Sequence, residues 1–272
     1  GNSSLTKDSE FSPEELFEIS VEGSDLYRQG QPIAVRMWID GKIHSKIGDY
    51  LPKKSDHTFE GFEARLTREL EGRDYFFNWQ QIHQWSHLTF QRTRLFLDRL
   101  YSAVGFPGQY SDTWILMGKY DKTPFGIHQD LAPMFMFPVV GEKKIRTWSE
   151  EYGNRKSGFR GSTDYGSHLK DSFLAVAPPG GLLYTPPSMY HIGEASEQFT
   201  VATTVVLGLR LSAVDRFFSE TNKLLMENHG RLESMKMISG NFGDHFSAVK
   251  SLPKEWKDVI CLLEDSIKSG EL

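Results

Sequence analysis

The sequence predicts a mainly β protein with helices, in which an antiparallel sandwich or barrel lies between a helical lead-in and a helical tail. Between residues 110 and 210, short apolar runs alternate with turns that contain Gly and Pro, which is typical of antiparallel β folds. On both sides of this region, apolar residues recur at helical spacing. With 272 residues, we expect a domain over 1–210, with its β core at about 110–210, and a helical extension over 211–272.

The lead-in begins with a predicted helix, because Ser12 followed by Pro13 is typical of a helix start, and apolar positions continue to Ile19. The other predicted elements of the lead-in follow in chain order: a strand over 33–39, a turn at Asp40–Gly41, a loop over 46–60, a strand over Tyr75–Trp79 and an amphipathic helix over 89–104.

The predicted strands of the β core are short apolar runs bounded by turn residues: 113–118, 125–130, 134–140, 144–148, 173–177, 181–185 and 199–209. The polar, Gly-rich segment 149–170 is too long for a hairpin turn, so we interpret it as a candidate lid or binding loop. Two apolar patterns at helical spacing, over 214–225 and 256–267, predict the tail helices. These helices are a candidate dimerisation element, and simple packing against the β core is the alternative.

Composition narrows the function classes. Lys and Arg total 31 against 36 Asp and Glu, and this net charge of −5 gives no electrostatic reason to expect nucleic-acid binding. The single cysteine, Cys261, excludes an intrachain disulfide and a thiolate metal cluster, and its apolar neighbours favour a buried thiol. No run of about 18 apolar residues predicts a membrane span, and no charged-then-apolar leader is present. We therefore expect a cytoplasmic protein without a membrane partner.

The most informative motif is His128-Gln129-Asp130. Residues two apart on a strand point to the same face, so an imidazole and a carboxylate would lie side by side. His191, which follows a strand and a Pro-Pro turn, is the best third ligand. Two histidines and one carboxylate around a half-open coordination sphere form the facial triad of non-haem Fe(II) oxygenases.

Simpler interpretations remain open. Most isolated His-x-Asp pairs are surface or structural pairs, and His191 alone could be a core histidine. A competing pair, His83 and His87, has the i,i+4 spacing of a chelate on a helix. The Glu of a metalloprotease helix is absent between them, so we prefer a packing or capping role for this pair.

A lysine, Lys143, falls thirteen residues after Asp130, just beyond a predicted turn at Gly141. With this spacing, the stretch 126–148 resembles the jumonji-C, cupin-like oxygenases that depend on Fe(II) and 2-oxoglutarate, in which His-x-Asp/Glu precedes Gly-x-Lys or Gly-x-Arg. The run 178–187, Pro-Pro-Gly-Gly-Leu-Leu-Tyr-Thr-Pro-Pro, resembles the family's Gly-Asp-x-Leu-Tyr-x-Pro run before its second histidine. The spacing is similar to that of the protein-hydroxylating branch, which includes asparaginyl and ribosomal-protein hydroxylases. The resemblance covers about 75–210.

The resemblance implies a double-stranded β-helix, that is, a cupin-like jelly roll. It also implies that His128, Asp130 and His191 hold catalytic Fe(II), and that Lys143 pairs with the distal carboxylate of the cosubstrate 2-oxoglutarate. Lys144 would replace Lys143 if the turn register shifted by one residue, because alternation sends only one of them inward.

Two further cosubstrate contacts are implied by position. Tyr75 lies where some members have a tyrosine that contacts the distal carboxylate, and a core aromatic is the alternative interpretation. Thr204 lies near a strand position that often carries a polar contact. Two positions depart from the family pattern: Met134 stands where many members have Asn, and Gly181 replaces the Asp of the Gly-Asp turn.

The expected reaction is the O₂-dependent hydroxylation of an amino-acid residue in a protein or peptide, such as a ribosomal protein or a natural-product precursor. Hydroxylation of a free amino acid or small molecule is one alternative. A non-catalytic cupin-fold binding module and a cupin enzyme that uses no 2-oxoglutarate are the others. We expect substrate contacts in the 149–171 segment and beside it, and an ordinary solvated loop is the alternative there. The side chains considered for these contacts are Trp148, Arg155, Arg160 and Tyr165.

Overall fold

The computed structural model describes residues 11–105, 108–130, 132–209 and 268. The chain divides into two units, residues 1–209 and residues 210–272, and the description below concerns the first. The predicted tail helices, their role in dimerisation and the surroundings of Cys261 lie outside the described residues. No helix in the described ranges has the length and apolar character needed to cross a membrane.

Four α-helices are described: α1 (Pro13–Arg28), α2 (Phe59–Glu69), α3 (His87–Val104) and α4 (Glu150–Asn154). Short 3-10 helices cover Lys54–Asp56, Ile82–Gln84 and Gly166–Asp171. Helix α1 begins with a capping box, in which the Ser12 hydroxyl accepts from the Glu15 backbone N–H and the Glu15 carboxylate accepts from the Ser12 N–H. Such a cap contributes about 1 kcal/mol to helix stability.

The strands in chain order are β1 (Val35–Ile39), β2 (Lys42–His44), β3 (Tyr75–Trp79), β4 (Gly108–Lys119), β5 (His128–Gln129), β6 (Met134–Val140), β7 (Lys143–Trp148), β8 (Phe173–Ala177), β9 (Leu183–Thr185), β10 (Tyr190–Glu194) and β11 (Phe199–Leu209). They form a seven-stranded sheet with the order β2-β1-β3-β4-β11-β6-β9 and a four-stranded sheet with the order β5-β10-β7-β8. All of their pairings are antiparallel.

The structure differs from the sequence prediction at several elements. Helix α1 extends well beyond Ile19, and the predicted 125–130 strand is reduced to β5. The predicted 46–60 loop ends in a 3-10 helix and the start of α2, and β10 was not predicted as a strand. The Asp40–Gly41 turn is present, and both residues have positive φ, as a two-residue hairpin turn requires.

Alternation along the strands sorts side chains into three layers. One face of the large sheet packs against α1, α2 and α3 through two apolar clusters. A third cluster joins the two sheets and contains Met136, Ile145 and Ala202. A fourth covers the far face of the small sheet with side chains from the 149–170 segment. The space between the sheets is therefore the only layer that receives side chains from both of them.

An ion pair fastens the segment before α2 to that helix. Asp56 accepts from Nε and Nη2 of Arg65 at 2.7 and 3.0 Å, and its carboxylate also accepts from the Lys53 backbone N–H at 2.8 Å. The Asp56 side chain is only 3% exposed. Burial opposes ionisation, but the hydrogen bonds and the positive charge of Arg65 outweigh it and hold the pKa of Asp56 below its ordinary value.

We expect Asp56→Asn to lower the free energy of unfolding by about 2 kcal/mol at neutral pH, because the largely buried guanidinium of Arg65 would keep only the partly exposed carboxylate of Glu69 as a counter-ion. Since the pKa of folded Asp56 is depressed, this contribution is present above the ordinary carboxyl pKa and is lost as the pH falls through the folded value. Urea unfolding of both proteins across pH 2–7 measures the difference, which should shrink below about pH 4. Asp25→Asn is the control, since its ion pair with Arg28 is exposed and should contribute little. A difference that persists undiminished at pH 2 would contradict the interpretation.

Candidate metal centre

Three potential metal ligands converge where β5 pairs with β10. His128 lies directly opposite His191 in this pairing, and the two ring centroids are 4.3 Å apart. Asp130 follows β5 and brings its Oδ2 to 3.7 Å from Nε2 of His128 and 3.3 Å from Nε2 of His191. The three ligand atoms all lie within 4.8 Å of one another. The structure thus brings together the three residues that the sequence predicts as a triad.

Backbone carbonyls fix the orientation of both imidazoles. Nδ1 of His128 lies 2.9 Å from the carbonyl oxygen of Gly126, and Nδ1 of His191 lies 3.1 Å from that of Met189. A carbonyl can only accept, so Nδ1 carries the proton of each neutral ring, and Nε2 is then the nitrogen that presents a lone pair toward Asp130. The buried Nε2 of His191 has no hydrogen-bond partner among the described residues. This arrangement suits a cation held between the rings and the carboxylate.

The protonation states favour the same arrangement. Burial, together with the nearby imidazole of His191, lowers the pKa of His128 from its ordinary value, so its ring is neutral at physiological pH. Burial opposes ionisation of Asp130, but the two imidazoles outweigh it and hold the pKa of the carboxyl below its ordinary value. A neutral imidazole and a carboxylate are the donor forms that a divalent metal requires of these two residues.

A close backbone approach supports the His128 side of the site. Gly126 has a φ of +66°, and a Cβ at this position would lie 2.3 Å from the carbonyl oxygen of Gly161. Ile127 donates to Ser162 O at 2.9 Å, and Gly161 donates to Ile127 O at 2.7 Å. The 161–162 backbone therefore holds the segment whose Gly126 carbonyl orients His128.

Lys143, not Lys144, lies between the sheets. Lys143 shares a strand face with Ile145 of the inter-sheet cluster and is 3% exposed, and its Nζ donates to the Tyr120 hydroxyl at 2.7 Å. In the described part of the chain it has no ion pair with Asp or Glu. Lys144 lies on the opposite face, where it contacts Glu142 and Ser196. A buried ammonium whose partner is a neutral hydroxyl can accept an anion.

The structure contradicts the prediction for Tyr75. This residue lies on the helix-covered face of β3, where its ring packs against Phe77 and Phe199. Phe76, its neighbour, faces the opposite way and packs at 5.2 Å from Tyr120. Tyr75 therefore takes the alternative interpretation, that of a core aromatic, on the face of β3 that points away from the space between the sheets.

The other predicted polar contact, Thr204, lies on the inter-sheet face of β11, since it alternates with Ala202 of the inter-sheet cluster. Its hydroxyl is buried and unpartnered within the described ranges, and the same holds for Thr200 on that face and for Asn78 Oδ1 on β3. Sequence reasoning missed Thr200, Asn78 and Tyr120. Polar residues within otherwise apolar strands were the available signal for the first two.

The 149–170 segment, predicted as a lid or binding loop, packs some of its side chains against the small sheet. Trp148 and Tyr165 are buried in the cluster on the far face of the small sheet, together with Phe159. The two arginines are exposed: Arg155 pairs with Glu151, whereas the charge of Arg160 is near enough to His128 to lower the pKa of that imidazole. Of the four side chains considered for substrate contacts, Arg160 is the one whose charge acts on a triad residue.

The His83 and His87 pair does not form a chelate in the structure. His83 lies in the 3-10 helix before α3, with Nδ1 at 3.6 Å from Asp112 Oδ1, whereas His87 begins α3 and bonds with Gln91 at 2.8 Å. In the described residues, the one cluster of three or more candidate ligands is that of His128, Asp130 and His191.

We expect Gly126→Ala to weaken Co(II) binding by about tenfold, the effect typical of a lost outer-shell contact. The added methyl group would push against Gly161 O and displace the carbonyl that orients His128. Gly158→Ala is a matched control, because Gly158 also has positive φ, at +73°, but has nothing within 4 Å of its Cβ position. Titration followed by the Co(II) absorption bands measures both affinities. Equal affinities in the two variants would contradict a role for this close approach.

Several solved structures resemble this chain in fold at low sequence identity. YcfD from Escherichia coli is 15% identical, with 94% of this chain and 60% of YcfD aligned and a TM-score of 0.47. YcfD described as a ribosomal oxygenase in complex with cobalt and 2-oxoglutarate is 16% identical over 94% and 59% of the two chains, with a TM-score of 0.45. An oxalate decarboxylase from Bacillus subtilis is 12% identical over 51% and 26%, with a TM-score of 0.28.

This chain therefore spans about 60% of the length of the E. coli protein. No protein-family model matches the chain, and no curated protein matches it by sequence. Because these TM-scores lie below 0.5, any assignment of function rests on the side chains of the site.

Proposed function

We propose that the protein is an Fe(II)- and 2-oxoglutarate-dependent oxygenase that hydroxylates an amino-acid residue in a protein or peptide. One observation carries this proposal. The His128, Asp130 and His191 cluster and the buried ammonium of Lys143 both belong to the small sheet, and Lys143 has no carboxylate partner in the described ranges. A metal ligand set beside an unpaired buried cation suits a cosubstrate that chelates at one end and is anionic at the other.

His128, Asp130 and His191 would hold the metal. Two histidines and one carboxylate leave open positions, as non-haem Fe(II) oxygenases require, and the donor forms of all three residues fit such an ion. When bound, Fe(II) supplies the oxidation chemistry, in which 2-oxoglutarate, O₂ and a C–H group give succinate, CO₂ and a hydroxylated product. The carbonyls of Gly126 and Met189 keep both Nε2 lone pairs available for this role.

Lys143 would bind the distal carboxylate of 2-oxoglutarate, and Tyr120 would hold the ammonium in place. Thr147 pairs directly with His191 and lies on the same strand face as Lys143. Four residues of strand correspond to about 13 Å, which leaves room for a dicarboxylate between the ammonium and the imidazoles. The unpartnered hydroxyls of Thr200 and Thr204 are further candidate contacts on the facing strand.

We infer that β4 to β11 form a double-stranded β-helix within an oxygenase domain over 1–210. The strand order supports this inference: β4-β11-β6-β9 lie consecutively in the large sheet, and β5-β10-β7-β8 make up the small sheet. The chain thus crosses repeatedly between two facing four-stranded sheets, as in a jelly roll. Such a fold places the triad on the inner face of the small sheet.

The exposure of the triad supports a large substrate. The side chains of His128 and Asp130 are 25% and 34% exposed, whereas that of His191 is 5% exposed. A residue that projects from a protein or peptide surface can therefore approach the metal from the His128–Asp130 side. Arg160, which is exposed near His128, is the side chain that we expect the substrate to meet first.

The direct test supplies the protein with Fe(II), 2-oxoglutarate, O₂ and candidate peptides, and uses mass spectrometry to seek one added oxygen together with succinate. We expect Asp130→Ala to abolish this coupled product, because only two ligands would remain. Hydroxylation of free amino acids but not peptides would favour a small-molecule hydroxylase. An unchanged product yield in Asp130→Ala would remove the triad assignment.

Lys143→Met and Lys144→Met form a matched pair for the cosubstrate site. We expect Lys143→Met to raise the apparent KM for 2-oxoglutarate by about tenfold or more, since a charge-assisted bond in a buried site is lost. Lys144→Met should leave this constant unchanged, because Lys144 lies on the outer face. Succinate formation against 2-oxoglutarate concentration measures both. If Lys143→Met behaves like Lys144→Met, the enzyme does not hold 2-oxoglutarate in this way.

A further inference from the structure

The residue between the first two triad members makes a contact of its own. The side-chain amide of Gln129 donates through Nε2 to the carbonyl oxygen of Ser188, which is 59 positions further along the chain. This carbonyl can only accept, so the orientation of the amide is fixed. The contact joins the segment that carries His128 and Asp130 to the turn that leads to His191.

Ser188 has an unusual backbone conformation. Its φ is +67°, which is uncommon for a residue with a Cβ and is kept only where the surroundings impose it. Both of its backbone polar groups are bonded to the His128–Asp130 segment: its N–H donates to Asp130 O at 3.0 Å, and its carbonyl accepts from Gln129. Within the described residues, these two hydrogen bonds hold the turn in this backbone conformation.

The same turn orients the second histidine. Met189, which follows Ser188, provides the carbonyl that accepts from Nδ1 of His191 at 3.1 Å. The Ser188–Met189 peptide carries the carbonyl that Gln129 holds, and it lies between the Ser188 N–H that bonds to Asp130 O and the Met189 carbonyl behind His191. Asp130 and His191 are thus tied to one short piece of backbone, and Gln129 is the side chain that fastens it.

We propose that Gln129 is a positioning residue for the metal centre, which acts through Ser188 to fix Asp130 and His191 relative to each other. This inference rests on the proposed metal site. It predicts that the amide contributes to metal affinity without touching the metal.

The test uses Gln129→Met, which keeps the length of the side chain but cannot donate. We expect its Kd for Co(II) to rise about tenfold, with a changed intensity of the Co(II) visible bands, while the thermal midpoint without metal stays close to that of the wild type. Gln198→Met is the control, because Gln198 is exposed and its side chain makes no described contact, and it should bind Co(II) as the wild type does.

The outcomes distinguish the positioning role of Gln129 from the proposed metal site itself. If the wild type binds Co(II) and Gln129→Met has the same affinity and spectrum, the positioning role is wrong and the metal site stands. If the wild type itself binds no Co(II), the proposed metal site fails first. Gln129→Ala provides a second variant should Gln129→Met fail to fold, and a weaker Co(II) affinity there, with the spectral change, would support the role.

Discussion

The pairing of β5 with β10 is the constraint on which the candidate site depends. It comprises only two residue pairs, yet one of them sets His128 directly opposite His191. Side chains opposite each other on antiparallel strands lie close enough to share a ligand. Asp130 need then only follow the strand to complete the cluster. Strand β10 also pairs with β7 over five positions, and this pairing sets His191 opposite Thr147. Lys143 lies on the same face of β7, four residues before Thr147.

A buried lysine without a carboxylate partner in the described residues distinguishes the space between the sheets from the helix-covered layer. Both layers contain unpartnered polar atoms, such as the Tyr75 hydroxyl on the helix-covered face and the Thr204 hydroxyl between the sheets. Burial of an unpaired polar group is costly, and a buried ammonium costs more than a hydroxyl. Such a cost is expected where a fold retains a place for a polar ligand, since a protein selected for stability alone would fill that space with apolar side chains.

Sequence patterns predicted the chemistry better than the register. The spacing of His128 and Asp130, the later His191 and the lysine after Gly141 all pointed to residues that the fold draws into one sheet. Alternation along a strand could not decide between Lys143 and Lys144, nor whether Tyr75 faces the cosubstrate or the core, because a one-residue shift exchanges the faces and nothing local fixes the shift. Tertiary contacts decide both cases.

The sequence analysis missed α2 and β10, and the structure shows a physical reason for each. Helix α2 was not predicted, and its first two residues fell within the polar segment 46–60 that was interpreted as a loop. Gly61 in its first turn is required by the approach of the Asp56 carbonyl, since a Cβ there would lie 2.0 Å from the oxygen. Strand β10 is short and begins directly after the turn at Ser188. The contact between Ser188 and Asp130 is long-range, so local propensity could not indicate this strand.

The candidate site rests on little regular structure, so its rigidity needs another source. β5 has two residues, and the turn before β10 contains a serine with positive φ. Rigidity must therefore come from individual hydrogen bonds: the carbonyls of Gly126 and Met189 hold the imidazoles, and the 161–162 backbone and the Gln129 amide hold those carbonyls in turn. Backbone groups orient the rings without adding charge, so the net charge of the ligand set remains that of one carboxylate. A set with this charge leaves a divalent ion with residual positive charge for an anionic cosubstrate, and the buried ammonium of Lys143 acts in the same direction.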